Sequence, residues 1–167
     1  MTLQFELSDT SDRRVRDAIA LPLNAFNDAK AGVDPWRQLV IMLKDEDGAI
    51  LGGLWGSTGY RWLFVELLVV PAAFRGRGLG TQLMGMAEAE AIARGCHSAW
   101  LDTFEFQARG FYARLGYACF GELPDYPPGH ARFFMQKSMV RPSAAPEVAA
   151  QTPQLSANEP GAHCLPE

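Results

Sequence analysis

The sequence predicts an α/β fold, a mixed sheet with helices on its faces. Two features predict it. Short runs rich in Val, Ile, Leu, Phe and Trp recur at strand length between Gly, Pro and Asp, and stretches of helical spacing are interleaved with them. The resulting order, β-α-β-β-β-α-β-α-β-β, combines hairpins with strand-helix-strand crossings, and such a combination makes a mixed sheet.

In chain order, LQFEL (residues 3–7) predicts a short first strand. Asp9 to Asp12 offers N-cap candidates for a helix in which Val15, Ala18, Ile19, Pro22 and Phe26 keep helical spacing, with an interruption at Leu21-Pro22. The stretch to Trp36 is irregular and contains Gly32 and Pro35. Two β-rich runs, QLVIMLK and AILGGLWG, then flank the hairpin signal Asp45-Glu46-Asp47-Gly48. Tyr60 to Val70 is a third long strand, close enough in sequence to pair with its predecessor. Thr81 to Arg94 reads as a helix closed by Gly95. HSAWLDT (97–103) is a strand, and Gln107 to Leu115 a short helix closed by Gly116. YACFGEL (117–123) and ARFFMQKSM (131–139) are strands separated by a proline-rich loop.

The chain has 167 residues, 48% of them hydrophobic and 20% charged, which suits one domain with a real core. That domain is expected over residues 1–141. Residues 142–167 contain no lysine, arginine or aromatic side chain and little periodicity, so they are expected to form a flexible Pro/Ala-rich tail. The net charge is −4, but the tail's Glu147, Glu159 and Glu167 leave the body with 15 basic against 16 acidic residues. A near-neutral body argues against nucleic-acid binding through phosphate neutralisation. No apolar stretch is long enough to span a bilayer, and no export signal is legible at the N-terminus. Cys96, Cys119 and Cys164 have no metal-like spacing; the expectation is reduced thiols, a cytoplasmic protein and no metal, with Cys96 and Cys119 as small core residues.

The stretch with the most chemistry is VVPAAFRGRGLGTQLM (69–84). Gly76, Gly78 and Gly80 sit between a strand and a helix, in a segment with no proline from Arg75 on, so every peptide there offers an N–H. The first amides of a helix lack intrahelical partners, and its dipole is positive at that end. This is a phosphate or pyrophosphate site, to which Arg75 and Arg77 can add charge-assisted contacts. A Walker loop would end in Gly-Lys-Ser/Thr, and the Rossmann turn needs G-x-G-x-x-G; neither is present.

Arg75-Gly76-Arg77-Gly78-Leu79-Gly80 resembles the acyl-coenzyme A binding motif of the GNAT superfamily of N-acetyltransferases, Arg/Gln-x-x-Gly-x-Gly/Ala. ARGFYARLGY (108–117) resembles the family's second stretch, A-x-x-x-Y-x-x-x-G-F/Y, and the element order fits the family over roughly residues 2–139. One position departs: where many members carry asparagine seven residues before the tyrosine, this chain has Glu105. The resemblance implies a GNAT-like, mostly antiparallel mixed sheet of six to seven strands with helices on both faces. It implies an acetyltransferase moving an acetyl group from acetyl-CoA, as cosubstrate, to a primary amine of a small molecule or peptide. A non-catalytic acyl-CoA sensor of the same fold is the alternative, and a homodimer is an expectation.

By the same resemblance, the pyrophosphate lies on Arg75, Gly76, Arg77, Gly78, Leu79, Gly80 and Thr81. The pantetheine lies where the strand ending at Val70 and the strand around Trp100 splay, with the thioester carbonyl facing an amide of Leu68, Val69 or Val70. Tyr112 falls on the family's tyrosine and is the candidate acid; a phenol keeps its proton at neutral pH and can donate to sulfur. Glu66 is the candidate base: it interrupts WLFVELLVV, and strict alternation would set it among apolar neighbours on the face of Phe64 and Leu68. In this fold the acceptor pocket is built from about residues 25–37 and 122–130, where Trp36, Asp125, Tyr126 and His130 would suit a cationic amine.

Overall fold

The computed structural model describes residues 3–10 and 12–139. Its elements in order are α1 (Arg13–Ala31), β1 (Arg37–Lys44), β2 (Ile50–Gly59), β3 (Trp62–Val69), a 3-10 turn (Ala72–Phe74), α2 (Leu79–Ala93), β4 (Ser98–Phe104), α3 (Arg109–Arg114), β5 (Ala118–Leu123) and β6 (Arg132–Ser138). Six strands form one sheet in the order β1-β2-β3-β4-β6-β5, in which every neighbouring pair is antiparallel except β3 and β4. The parallel pair is joined through α2, the crossover that parallel strands require. The GNAT-like mixed sheet is therefore present.

Local chemistry explains most boundaries. Asp12 caps α1, its side chain accepting from the Arg14 amide. In the β1–β2 turn, Asp45 Oδ1 accepts from the amides of Asp47 and Ala49 while Gly48 takes φ +84°. The core lies between one sheet face and the helices α2 and α3: Leu54, Leu63, Leu101 and Met135 from the strands meet Met84 and Ala87 of α2 and Tyr112 of α3, all buried. Tyr117, just past α3, donates its hydroxyl to Glu88 of α2 at 3.0 Å, and Lys137 of β6 reaches the same carboxylate at 2.6 Å.

Three expectations need correction. Residues 3–7 form no strand; Leu3, Phe5 and Leu7 stand exposed with no neighbouring strand to pair with, and isolated alternation does not make a strand without a partner. Helix α1 runs through Leu21-Pro22 as one helix of 19 residues; a single proline removes one amide donor, and the residues on either side still complete the helix. Cys119 is exposed, since β5 is an edge strand of exposed residues; Cys96 is buried, and burial first and Asp34 second push its thiol pKa up. The tail at 142–167, with Cys164, lies outside the described residues.

Candidate active site

Strands β3 and β4 pair only from Trp62 with Ser98 to Val65 with Leu101, although β3 continues to Val69 and β4 to Phe104. Beyond that point they separate. The cause lies one strand over: Val65 pairs with Gly56 and Leu67 with Trp55, so Glu66 is an extra residue in β3, a β-bulge. The bulge shifts the alternation. Leu63 and Val65 face the core before it, and Leu68 and Val70 pack on that same core after it.

The gap opens a cleft of about 830 Å³ lined by Glu66 to Val70, the Arg75 to Thr81 segment without Arg77, and residues of β4 and α3. Gly76 and Gly78 take φ +75° and +77°, a left-handed backbone that a side chain would strain, and Gly78 is the N-cap of α2. A Cβ at either would meet nothing, whereas a Cβ at Gly80 would come within 3.2 Å of the Phe111 ring, so Gly80 lets α3 approach α2. Among the described residues no carbonyl or side chain accepts from the amides of Gly76 to Thr81. The segment therefore presents free donors to the cleft and fits a bound diphosphate.

Tyr112 is 8% exposed and lines the cleft. Burial first, and the Asp102 carboxylate second, push its phenol up to about 12. Asp102 also lines the cleft, held by Arg132, whose Nε donates to Oδ1 at 2.7 Å. Glu66 reaches the cleft from the bulge and is solvent exposed, so it lacks the apolar surroundings that unbroken alternation would give it, and Phe64 and Leu68 lie on opposite faces of β3. Arg75 donates through Nε to the Val70 carbonyl at 3.1 Å, tying the loop to the end of β3. Arg77 turns onto the Phe74 ring instead, 5.4 Å from its centroid.

The four acceptor-side candidates divide. Tyr126 and His130 come to the cleft end of β4: Phe104 and Phe106 stack at 5.2 Å, Tyr126 lies 6.1 Å from Phe104, and His130 meets Phe106 edge-on at 5.0 Å. His130 Nδ1 is 3.7 Å from Glu105 Oε2. Asp125 shapes the loop, accepting from the Gly129 amide at 2.7 Å. Trp36 lies at the opposite end of the sheet, its ring filling the space beside Gly59 and contacting Tyr60. The structure therefore does not join residues 25–37 with 122–130 in one pocket.

Sequence reasoning missed Asp102, Phe106, Gln107 and Arg114, all of which line the cleft. Gln107 accepts from the Phe104 amide at 2.9 Å and from the Thr103 hydroxyl, and so holds the β4–α3 junction. None of the four carries a sequence signal of its own; only the splay of β3 and β4 brings them together.

A profile of the Acetyltransferase (GNAT) family matches residues 9–117. The chain belongs to the GNAT acetyltransferase family. It is 39% identical over 135 residues to the acetyltransferase Atu2258 of Agrobacterium fabrum, covering 81% of this chain and 98% of that one. It is 44% identical over 95 residues to the blasticidin-S acetyltransferase of Streptomyces morookaense, covering 56% of this chain and 70% of the relative. A solved acetyltransferase structure from Agrobacterium tumefaciens superposes with a TM-score of 0.78 at 39% identity, over 81% of this chain and 99% of that one. This GNAT acetyltransferase has no helix among the described residues that is long and apolar enough to cross a membrane. Among the same residues no group of His, Cys, Asp and Glu is arranged to hold a metal ion.

Proposed function

We propose that the chain transfers an acetyl group from acetyl-CoA to a primary amine of a small molecule or peptide, by direct attack of the amine on the thioester. One observation carries this reading: a single cleft joins the unpaired amides of Gly76 and of Gly78 to Thr81, the splayed ends of β3 and β4, and the Tyr112 phenol. Acetyl-CoA would supply an activated acyl group. The amides of the loop and of the first turn of α2 hold its diphosphate, with Arg75 fixing the loop. An amide at the end of β3, among Leu68 to Val70, stabilises the oxyanion in this reading. Tyr112, protonated across the whole neutral range, gives its proton to the departing sulfur. Glu66, open to solvent at the bulge, takes the proton of the incoming ammonium directly or through water.

The amine would enter past Phe106, Tyr126 and His130, an aromatic wall with Glu105 beside it, which suits a cation. The relative named for blasticidin-S supports a small-molecule amine as the acceptor class. The test is thiol release from acetyl-CoA across a panel of amines that includes blasticidin S. Amine-dependent release, inhibited by desulfo-coenzyme A, is expected; coenzyme binding without release from any amine would leave a sensor in place of an enzyme.

A further inference from the structure

The entrance wall and the cleft carboxylate Asp102 lie on different elements, and one side chain spans them. Along β4, Asp102 and Phe104 alternate with the buried Leu101 and Thr103, so both stand on the sheet face turned away from the core. Strand β6 runs antiparallel beside it, with Asp102 opposite Phe134 and Phe104 opposite Arg132. Arg132 reaches diagonally, two positions back along β4, to the carboxylate. Its Nε and Nη2 lie 2.7 and 2.5 Å from Asp102 Oδ1.

The plane of the guanidinium is engaged as well as its charge. Its centre is 5.1 Å from the centroid of Phe104, 5.6 Å from that of Tyr126 and 5.9 Å from that of Phe134, all within cation–π range. Tyr126 belongs to the loop between β5 and β6, residues 124–131. At the β6 end of that loop, the Ala131 carbonyl accepts from the Glu105 amide at 2.8 Å, and His130 meets Phe106 edge-on. Around Tyr126 the hydrogen bonds are internal to the loop: its amide donates to the His130 carbonyl, and the Gly129 amide to Asp125 Oδ1. Such bonds set the shape of the loop and not its place on the sheet. Among the described residues, Arg132 alone joins a cleft carboxylate to the ring of Tyr126.

We infer that Arg132 is a positioning residue: anchored by Asp102 in the cleft wall, it seats Tyr126 and so fixes the wall along which the acceptor amine enters. Arg132 does not itself line the cleft. What the wall receives rests on the reaction proposed above; the seating of the loop is a property of the fold alone. A lysine would keep a positive charge near Asp102, but an ammonium has neither a plane to lie against the rings nor a fork to orient it.

The test compares the full chain with Arg132→Lys by steady-state thiol release. The KM for the amine should rise about tenfold, while kcat and the KM for acetyl-CoA stay within about threefold. A side chain that only held the fold together would lower kcat through the folded fraction and leave both KM values alone. Tyr126→Leu should raise the amine KM likewise and add little when combined with Arg132→Lys, because the two act as one unit. Hydrogen exchange needs no substrate: the amides of Tyr126, Gly129 and His130 should exchange faster in Arg132→Lys, while those of β4 and β6 keep their protection. Should the parent turn over no amine, the proposed reaction fails and exchange alone decides the seating. Should Arg132→Lys lose its circular dichroism signal, Asp102→Asn replaces it in the exchange experiment, since it loosens the anchor and keeps the guanidinium. An unchanged amine KM, equal rises in both KM values, additive effects of the two substitutions, or unchanged exchange of the loop would each overturn the inference.

Discussion

Asp102 and Tyr112 share the wall of one cleft, and the carboxylate of the first adds to burial in holding the proton on the second up to about 12. The arrangement suits a group that must donate and never idle as an anion at neutral pH. Tyr112→Phe keeps the ring packing and removes only the proton. It should lower kcat by about 10²–10⁴ while leaving coenzyme affinity within a few-fold, read by thiol release and by titration calorimetry. Unchanged kcat would take Tyr112 out of the mechanism.

The same pair makes stability depend on pH. Below the ordinary phenol value of 10.0 the tyrosine is protonated in both folded and unfolded chains, and its stabilisation is complete. Between 10.0 and about 12 the unfolded chain gives up the proton and the folded one holds it, so stability falls as pH rises. The loss attributable to Tyr112 is about 2–3 kcal/mol. Urea unfolding of the parent and of Tyr112→Phe through this window should show the smaller decline in the variant.

Gly78 has a left-handed backbone at the first turn of α2 and open space where a Cβ would go. Gly78→Ala should cost about 1–2 kcal/mol of loop stability and weaken the coenzyme modestly. Gly78→Glu adds a carboxylate to a diphosphate cradle and should abolish measurable binding by calorimetry. Equal affinities for the two variants would mean that charge at this position is irrelevant.

Glu88 receives both the Tyr117 hydroxyl and the Lys137 ammonium in a half-closed setting between α2, β6 and the end of α3. Burial first, and Glu88 second, push the Tyr117 phenol up. Glu88→Ala leaves a buried hydroxyl and an ammonium without their acceptor and should destabilise the fold by about 2–4 kcal/mol, measured by denaturant midpoint. Glu88 does not line the cleft, so kcat of the folded fraction should hold.

Several features were legible before any coordinates because they depend on neighbours in sequence. The Asp45–Gly48 turn, the Gly95 and Gly116 helix ends and the glycine-rich N-terminus of α2 follow from local backbone geometry, and the structure contains each of them. LQFEL carried the same kind of local pattern and still failed, since a strand is completed by a partner and none is adjacent. Glu66 failed differently: period-2 alternation assumes equal residue counts on paired strands, and the bulge opposite Trp55 and Gly56 violates that.

What the chain determined alone was the order of its elements from α1 onward, the family motif and the donor-rich turn at residues 75–81, all of them products of short-range steric and hydrogen-bonding rules. Only the tertiary structure decided that β3 and β4 part after Val65 and Leu101, that Asp102 stands in the cleft with Tyr112, and that Trp36 lies at the far end of the sheet. Register and splay are set by contacts between residues dozens of positions apart, and no local pattern encodes a distance that only packing creates.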